Sequence, residues 1–131
     1  MIRPRMRAIH LDTSFLIRAL VPGTGESARL SNWLGERRSV ALSAFAWGEF
    51  LCGPLGDAEE SEAGRIANRY IPVGTEEATA AAGLFNHAGR RRGSFPDCII
   101  AATAILADAE LATSNPSDFE RFIDVGLVLA E

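Results

Sequence analysis

The chain has 131 residues, 47% of them apolar, which fits one soluble globular domain large enough for a true core. Its 17 acidic residues outnumber 13 basic ones, for a net charge of −4, and every basic residue is arginine. The lack of lysine excludes a lysine-bearing phosphate-binding loop and any Schiff-base mechanism. No apolar run reaches the ~18–20 residues of a membrane span, and the basic start (Arg3, Arg5, Arg7) lacks the apolar stretch of a secretory signal. A cytoplasmic protein without membrane contact is therefore expected, with Cys52 and Cys98 as buried free thiols.

Short Val/Ile/Leu-rich runs alternate with longer helical patterns, which predicts an α/β fold of βαβ units on a mainly parallel sheet. Met1–Arg7 reads as a polar lead-in and Ala8–Leu11 as the first strand. A helix follows over Ser14–Leu20, capped near Thr13 and ended by Pro22-Gly23. Ser27–Arg37 has helical spacing in Leu30, Trp33 and Leu34. Ser39–Leu42 is a second strand, and Ala44–Cys52 a helix stopped by Gly53-Pro54. Glu59–Arg69 is a polar amphipathic helix and Tyr70–Val73 a third strand. Glu76–Arg91 is a long helix with acids in its first turn and arginines in its last, as the helix dipole favours. Pro96–Ala107 is an almost wholly apolar, buried helix. Glu110–Thr113 is a fourth strand, Ser117–Phe122 a short helix and Gly126–Leu129 an edge strand.

Three acids fall inside apolar stretches. Asp12 ends the run Ala8-Ile9-His10-Leu11, Glu49 lies within Ala44–Leu51, and Asp97 opens the run Cys98-Ile99-Ile100-Ala101-Ala102. A carboxylate in such surroundings loses hydration and must be paired, protonated or bound to a cation. With Asp118 as a fourth, they point to one cation site. Asp12 sits at the carboxyl end of the first strand, and Asn115 and Asp118 follow the fourth, on the edge where open α/β sheets bind ligands. Glu49 shares a helix face with Phe45 and Cys52, which should look inward.

Each acid also has a bland reading. Ser94-Phe95-Pro96-Asp97 fits a capping box. Asp12 serves equally as an N-cap, with Thr13 or Ser14 sharing the work. Asn115-Pro116-Ser117-Asp118 is a good helix start. Glu49, in mid-helix among Phe, Trp and Leu, has no capping role, and its bland reading requires a buried Arg partner. His10 and His87 have no His or Cys at zinc-ligand spacing; His10 reads as a core residue or a support for Asp12. Trp33 and Trp47 read as packing residues. Arg90-Arg91-Arg92 is either a solvated helix end or a phosphate-holding patch.

Four segments then carry a resemblance. Ile9–Ile17, Leu42–Phe50, Phe95–Ala104 and Leu111–Phe119 resemble, in order and spacing, the motifs of PIN-domain ribonucleases, and most closely the VapC-type toxins of bacterial toxin–antitoxin pairs. The resemblance covers essentially the whole chain. It implies a single PIN domain over residues 1–131, a three-layer α/β/α architecture with four to five central strands. It also implies a Mg²⁺- or Mn²⁺-dependent endoribonuclease acting on RNA, a homodimer, and a cognate antitoxin that blocks the site. Asp12, Glu49, Asp97 and Asp118 are the implied catalytic acids, with Asp12 and Asp97 as metal ligands. Thr13, Thr113 and Asn115 are supporting or substrate-facing residues. Asn115 departs from members with an acid there; an amide adds no charge, which weakens binding of a second metal. A PIN-like RNA-binding or regulatory protein of weakened activity is the alternative. A haloacid-dehalogenase-type phosphatase is disfavoured because Ser14 stands where its second acid belongs and its lysine is missing; a receiver domain also needs that lysine.

Overall fold

β1 (Ile9–Leu11) is buried at all three positions and β2 (Val40–Ser43) at all four. Strands apolar on both sides belong inside a parallel sheet covered on both faces, not in a half-solvated one. β3 (Arg69–Ile71), β4 (Glu110–Ala112) and β5 (Val128–Leu129) complete a five-stranded sheet among the described residues, in the order β3-β2-β1-β4-β5, with every neighbouring pair parallel. The structure is a computed structural model that describes residues 6–53, 56–67 and 69–131. Most of the expected lead-in and the helix-stopping Pro54 lie outside those residues.

Six α-helices connect the described strands: α1 (Thr13–Ala19), α2 (Gly25–Gly35), α3 (Ala44–Leu51), α4 (Asp57–Ile66), α5 (Thr75–His87) and α6 (Phe95–Leu106). Their starts follow local chemistry. The Thr24 side chain accepts from Ser27 N and so caps α2, which begins two residues earlier than the apolar spacing suggests. The Ser43 hydroxyl caps α3 through Ala46 N. The Glu77 carboxylate accepts from Gly74 N at the start of α5.

Three expectations about secondary structure need correction. The Ser94–Asp97 capping box does not form: Ser94 Oγ donates instead to Arg91 O at 2.6 Å, and Ser94 N donates to the same carbonyl. Helix α5 stops at His87 rather than Arg91, because Gly89 and Arg90 both take positive φ (86° and 58°), so the arginine run lies in a loop. The segment after β4 is not one helix but two 3-10 turns, Pro116–Asp118 and Glu120–Val125, the second ended by Gly126 at φ 110°.

The core lies between sheet and helices, with Phe15, Phe50, Phe119 and Phe122 essentially closed to solvent. Trp33 of α2 stacks on Phe15 of α1 at 5.5 Å, and Arg29 lies over both rings at 5.4 and 5.1 Å. α5 packs on α6, and α1 on both α2 and α3. Cys98 is buried as expected, but Cys52 is exposed, because α3 ends there and turns its last residues outward. Phe15 anchors the helix that carries the first acid, so Phe15→Ala is expected to lower the unfolding free energy by about 3–5 kcal/mol, read from urea denaturation midpoints.

Candidate active site

In a parallel sheet, side chains that follow the strands gather at the carboxyl edge. Here the connection from β1 runs outward to β2 while β4 lies on the other side of β1, so a crevice opens between the ends of β1 and β4. Asp12 follows β1, and its backbone N–H donates to Ala112 O of β4 at 2.8 Å, which ties the two strand ends together. Asp12 is the N-cap of α1, and its carboxylate is 6% exposed.

That carboxylate accepts three hydrogen bonds: Thr13 N to Oδ1 at 2.8 Å, Ser14 Oγ to Oδ2 at 2.9 Å, and Thr113 Oγ1 to Oδ2 at 2.8 Å. Only the first belongs to a cap. The other two come from hydroxyls that a helix start does not require, so the capping and site readings of Asp12 hold together. A carboxylate offers about four lone-pair sites, which leaves room for a further ligand. Thr113 Oγ1 also accepts from Asn115 N at 3.0 Å, which orients the hydroxyl toward Asp12.

Glu49 is half-buried on α3, and Thr13 Oγ1 donates to its Oε1 at 2.9 Å. Its partner is thus a hydroxyl from the segment carrying Asp12, and no arginine pairs with it among the described residues. The face it shares with Cys52 is less inward than expected: Glu49 and Phe45 are half-buried and Cys52 exposed.

Asp97 occupies the first turn of α6, with Arg121 Nη2 3.9 Å from its Oδ2, an ion pair too long for a hydrogen bond. Asp118 closes the first 3-10 turn and is half-buried. The backbone O of Asn115 accepts from Asp118 N at 3.0 Å, while its exposed side chain faces a cavity of about 510 Å³ shared with Ser14, Arg18 and Glu26.

The four acids feel one another. Burial first, then the charges of Asp12 and Asp118, push Asp97 up to about 6; Arg121 pulls it down and Glu49 adds to the rise. Burial also raises Asp12, opposed by its hydroxyl and amide donors, with Asp118 contributing to the rise. Glu49 rises through burial and the nearby Asp12, opposed by Thr13. Asp12, Glu49 and Asp97, raised by burial and then by neighbouring acids, present the potential that a divalent cation relieves.

No three His, Cys, Asp or Glu side chains among the described residues converge tightly enough to cage an ion alone. The donors here are all oxygens with spare lone pairs, which suits a hard cation that keeps several waters and takes only one or two carboxylates. Zinc-type ligation does not fit: His10 is buried, its ring nitrogens make no hydrogen bond, and burial with Arg69 pushes it down to about 4.

Two residues on this edge have a part in the site that the sequence reading did not give them. Ser14 joins Asp12 to the β4 loop, accepting from Ser114 N at 3.3 Å. Glu26 of α2 accepts from Ser114 Oγ at 2.7 Å and pairs with Arg18 at 2.7 Å; these donors hold it down to about 2. Glu26 sits in an ordinary polar helix turn, and only the fold brings it to Ser114, 88 positions away.

A scan of family models matches the PIN domain over residues 9–124. Sequence comparison with curated proteins gives no match. Similar solved structures include a toxin–antitoxin complex from Klebsiella pneumoniae (26% identity, TM-score 0.64, 86% of this chain and 91% of that one). VapBC2 from Rickettsia felis, bound to a promoter DNA fragment, aligns at 18% identity and TM-score 0.71 over 94% and 97% of the two chains. VapC20 of Mycobacterium tuberculosis, a toxin that cleaves the sarcin-ricin loop, aligns at 19% identity and TM-score 0.65 over 94% and 98%.

The raised Asp97 sets a sign for pH. Its folded value, about 6, lies above the ordinary 3.8, so between them the native state holds more protons than the unfolded one, and stability falls as pH rises through that window. Asp97→Asn is therefore expected to raise the melting temperature in chelator at pH 7 relative to wild type, and to leave it nearly unchanged below pH ~4. Calorimetry at the two pH values reads both. By the fold, the strand-edge site and the family match, the chain belongs to the PIN-domain family.

Proposed function

We propose that this chain is a metal-dependent endoribonuclease, the toxin of a toxin–antitoxin pair, with its whole length forming one domain. The observation that supports this best is the gathering of the acids at the carboxyl edge of the sheet, where Thr13 bridges Asp12 and Glu49 and where Asp97 and Asp118 line one cavity. The resemblance of the fold to a VapC toxin that cleaves RNA, and to toxins solved with their antitoxins, favours the same reading. A homodimer in the cytoplasm, held silent by its cognate antitoxin, accords with it.

In this reading Asp12 and Asp97 would hold Mg²⁺ or Mn²⁺, which when bound would supply Lewis-acid chemistry at the phosphate and activate water. Thr113 and Ser14 both donate to Oδ2 of Asp12 and fix the carboxylate, leaving a lone pair of Oδ1 for a cation. Thr13 fixes one oxygen of Glu49 and leaves the other to orient the attacking water. Asp118 adds negative charge to the same site, and Asn115 offers an exposed amide at its rim.

An RNA-cleavage assay with Mg²⁺ or Mn²⁺, with and without chelator, tests this. Wild type is expected to cleave only with metal, and Asp12→Asn and Asp97→Asn, folded by circular dichroism, to fall to background. Thr113→Val is expected to lower metal affinity or cleavage by about 10- to 100-fold, as loss of a support to a metal ligand does. Metal-dependent cleavage by Asp97→Asn would sink the assignment. RNA binding without cleavage by wild type in any metal would favour a PIN-like protein of weakened activity.

A further inference from the structure

Beside Asp97 and Asp118, on the α6 side of the crevice, lies a cavity of about 120 Å³ whose wall includes Arg91, Arg92 and Arg121. Its construction does not follow from holding the acids. Arg121 is fixed by stacking on Phe122 at 4.6 Å, and its side chain is 20% exposed. Nevertheless its Nε and Nη2 make no hydrogen bond. The Asp97 carboxylate is too far at 3.9 Å, and the other polar neighbour is the Cys98 thiol, a weak acceptor. A pre-oriented guanidinium fork shielded from water and without an acceptor is a costly arrangement that a bidentate oxyanion would satisfy.

The loop between α5 and α6 delivers the other two arginines. Gly89, Arg90 and Gly93 all take positive φ (86°, 58° and 79°), a conformation that costs Arg90 more than it costs glycine. Arg91 O accepts from both Ser94 N and Ser94 Oγ, so the same serine that fails to cap α6 locks the turn carrying Arg91 and Arg92. Both side chains are exposed at the cavity.

We infer that Arg121, Arg91 and Arg92 form an anion site that seats a backbone phosphate of single-stranded RNA next to the carboxylate cluster. The inference rests on the ribonuclease reading. A phosphodiester chain passing the acids meets the cavity that Arg91, Arg92 and Arg121 line. An acidic peptide is the poorer occupant, since it would set more carboxylates beside Asp97 and Asp118 without a phosphate to bring to them. Arg121 thereby has two duties: it tempers the charge of Asp97 in the empty site and receives phosphate in the loaded one.

The test measures anisotropy of a short fluorescent RNA on the full chain, in chelator so that nothing is cleaved, across a salt series. Arg121→Gln is expected to weaken binding by about tenfold and to reduce the salt slope by about 0.7 for one lost phosphate contact on a single strand. Arg121→Lys keeps the charge but not the fork, so it should keep the slope and lose affinity, which a purely structural role would not produce. The exposed double variant Arg91→Gln/Arg92→Gln, whose folding is not at stake, should lose affinity and slope together, whereas Arg65→Gln on α4 should change neither. Wild-type affinity and slope in both Arg121→Gln and the double variant would overturn the site. So would loss of binding to an acidic peptide alone, with RNA binding intact. A Mn²⁺ cleavage assay on the same wild-type sample separates the two readings. Cleavage with arginine-independent binding removes the anion site alone, while arginine-dependent binding without cleavage removes the nuclease reading alone.

Discussion

Asp12 must carry a carboxylate where water scarcely reaches, and much of the functional edge is arranged around that requirement. An isolated buried carboxylate would take up a proton rather than stay charged. Three donors oppose this, from Thr13, Ser14 and Thr113. They come from the segments that follow β1 and β4 on either side of the crevice, so stabilising the charge also joins the ends of those strands. The Asp12 N–H to Ala112 O bond adds the backbone part of the same junction.

The remaining acids extend this arrangement. Thr13 donates its amide to Asp12 and its hydroxyl to Glu49, so one residue sets the distance between α1 and α3 at the site. Asp97 has no comparable support. Burial, then the charges of Asp12 and Asp118, raise it to about 6 against the pull of Arg121 at ion-pair distance. An acid left under-supported among well-supported ones is poised to gain most from a bound cation. Holding such an acid costs some stability at neutral pH.

Arg121 belongs to the same balance. It stacks on Phe122 of the core and leans toward Asp97, so the packing of the 3-10 turns sets a charge at the site. The turns after β4 therefore do more than close the chain onto β5. They carry Asp118, Arg121 and the backbone that aims Thr113.

Much of the fold was legible in the chain. Short Val/Ile/Leu-rich runs and Gly/Pro stops located each described strand and α-helix to within a few residues, because the central strands β1 and β2 are buried on both faces and the helices end at residues with strong local preferences. Boundaries went astray where backbone conformation, not side-chain pattern, decided. Arg90 at positive φ ended α5 early, and the Ser94 hydroxyl chose Arg91 O over the helix start. Asp12, Glu49 and Asp97 were visible as carboxylates in apolar surroundings, a chemical conflict that one sequence displays by itself, while Asp118 lies in a polar stretch and stood out only by its place after the fourth strand. Their supports were only half visible: Thr13 and Thr113 adjoin the motifs, but Ser14, Glu26 and Arg121 look like ordinary polar residues. What the sequence alone determined was which groups could not sit comfortably where they are. Tertiary structure decided which of them meet, since hydrogen bonds such as Thr113 to Asp12, 101 positions apart, depend on strand order and on nothing local.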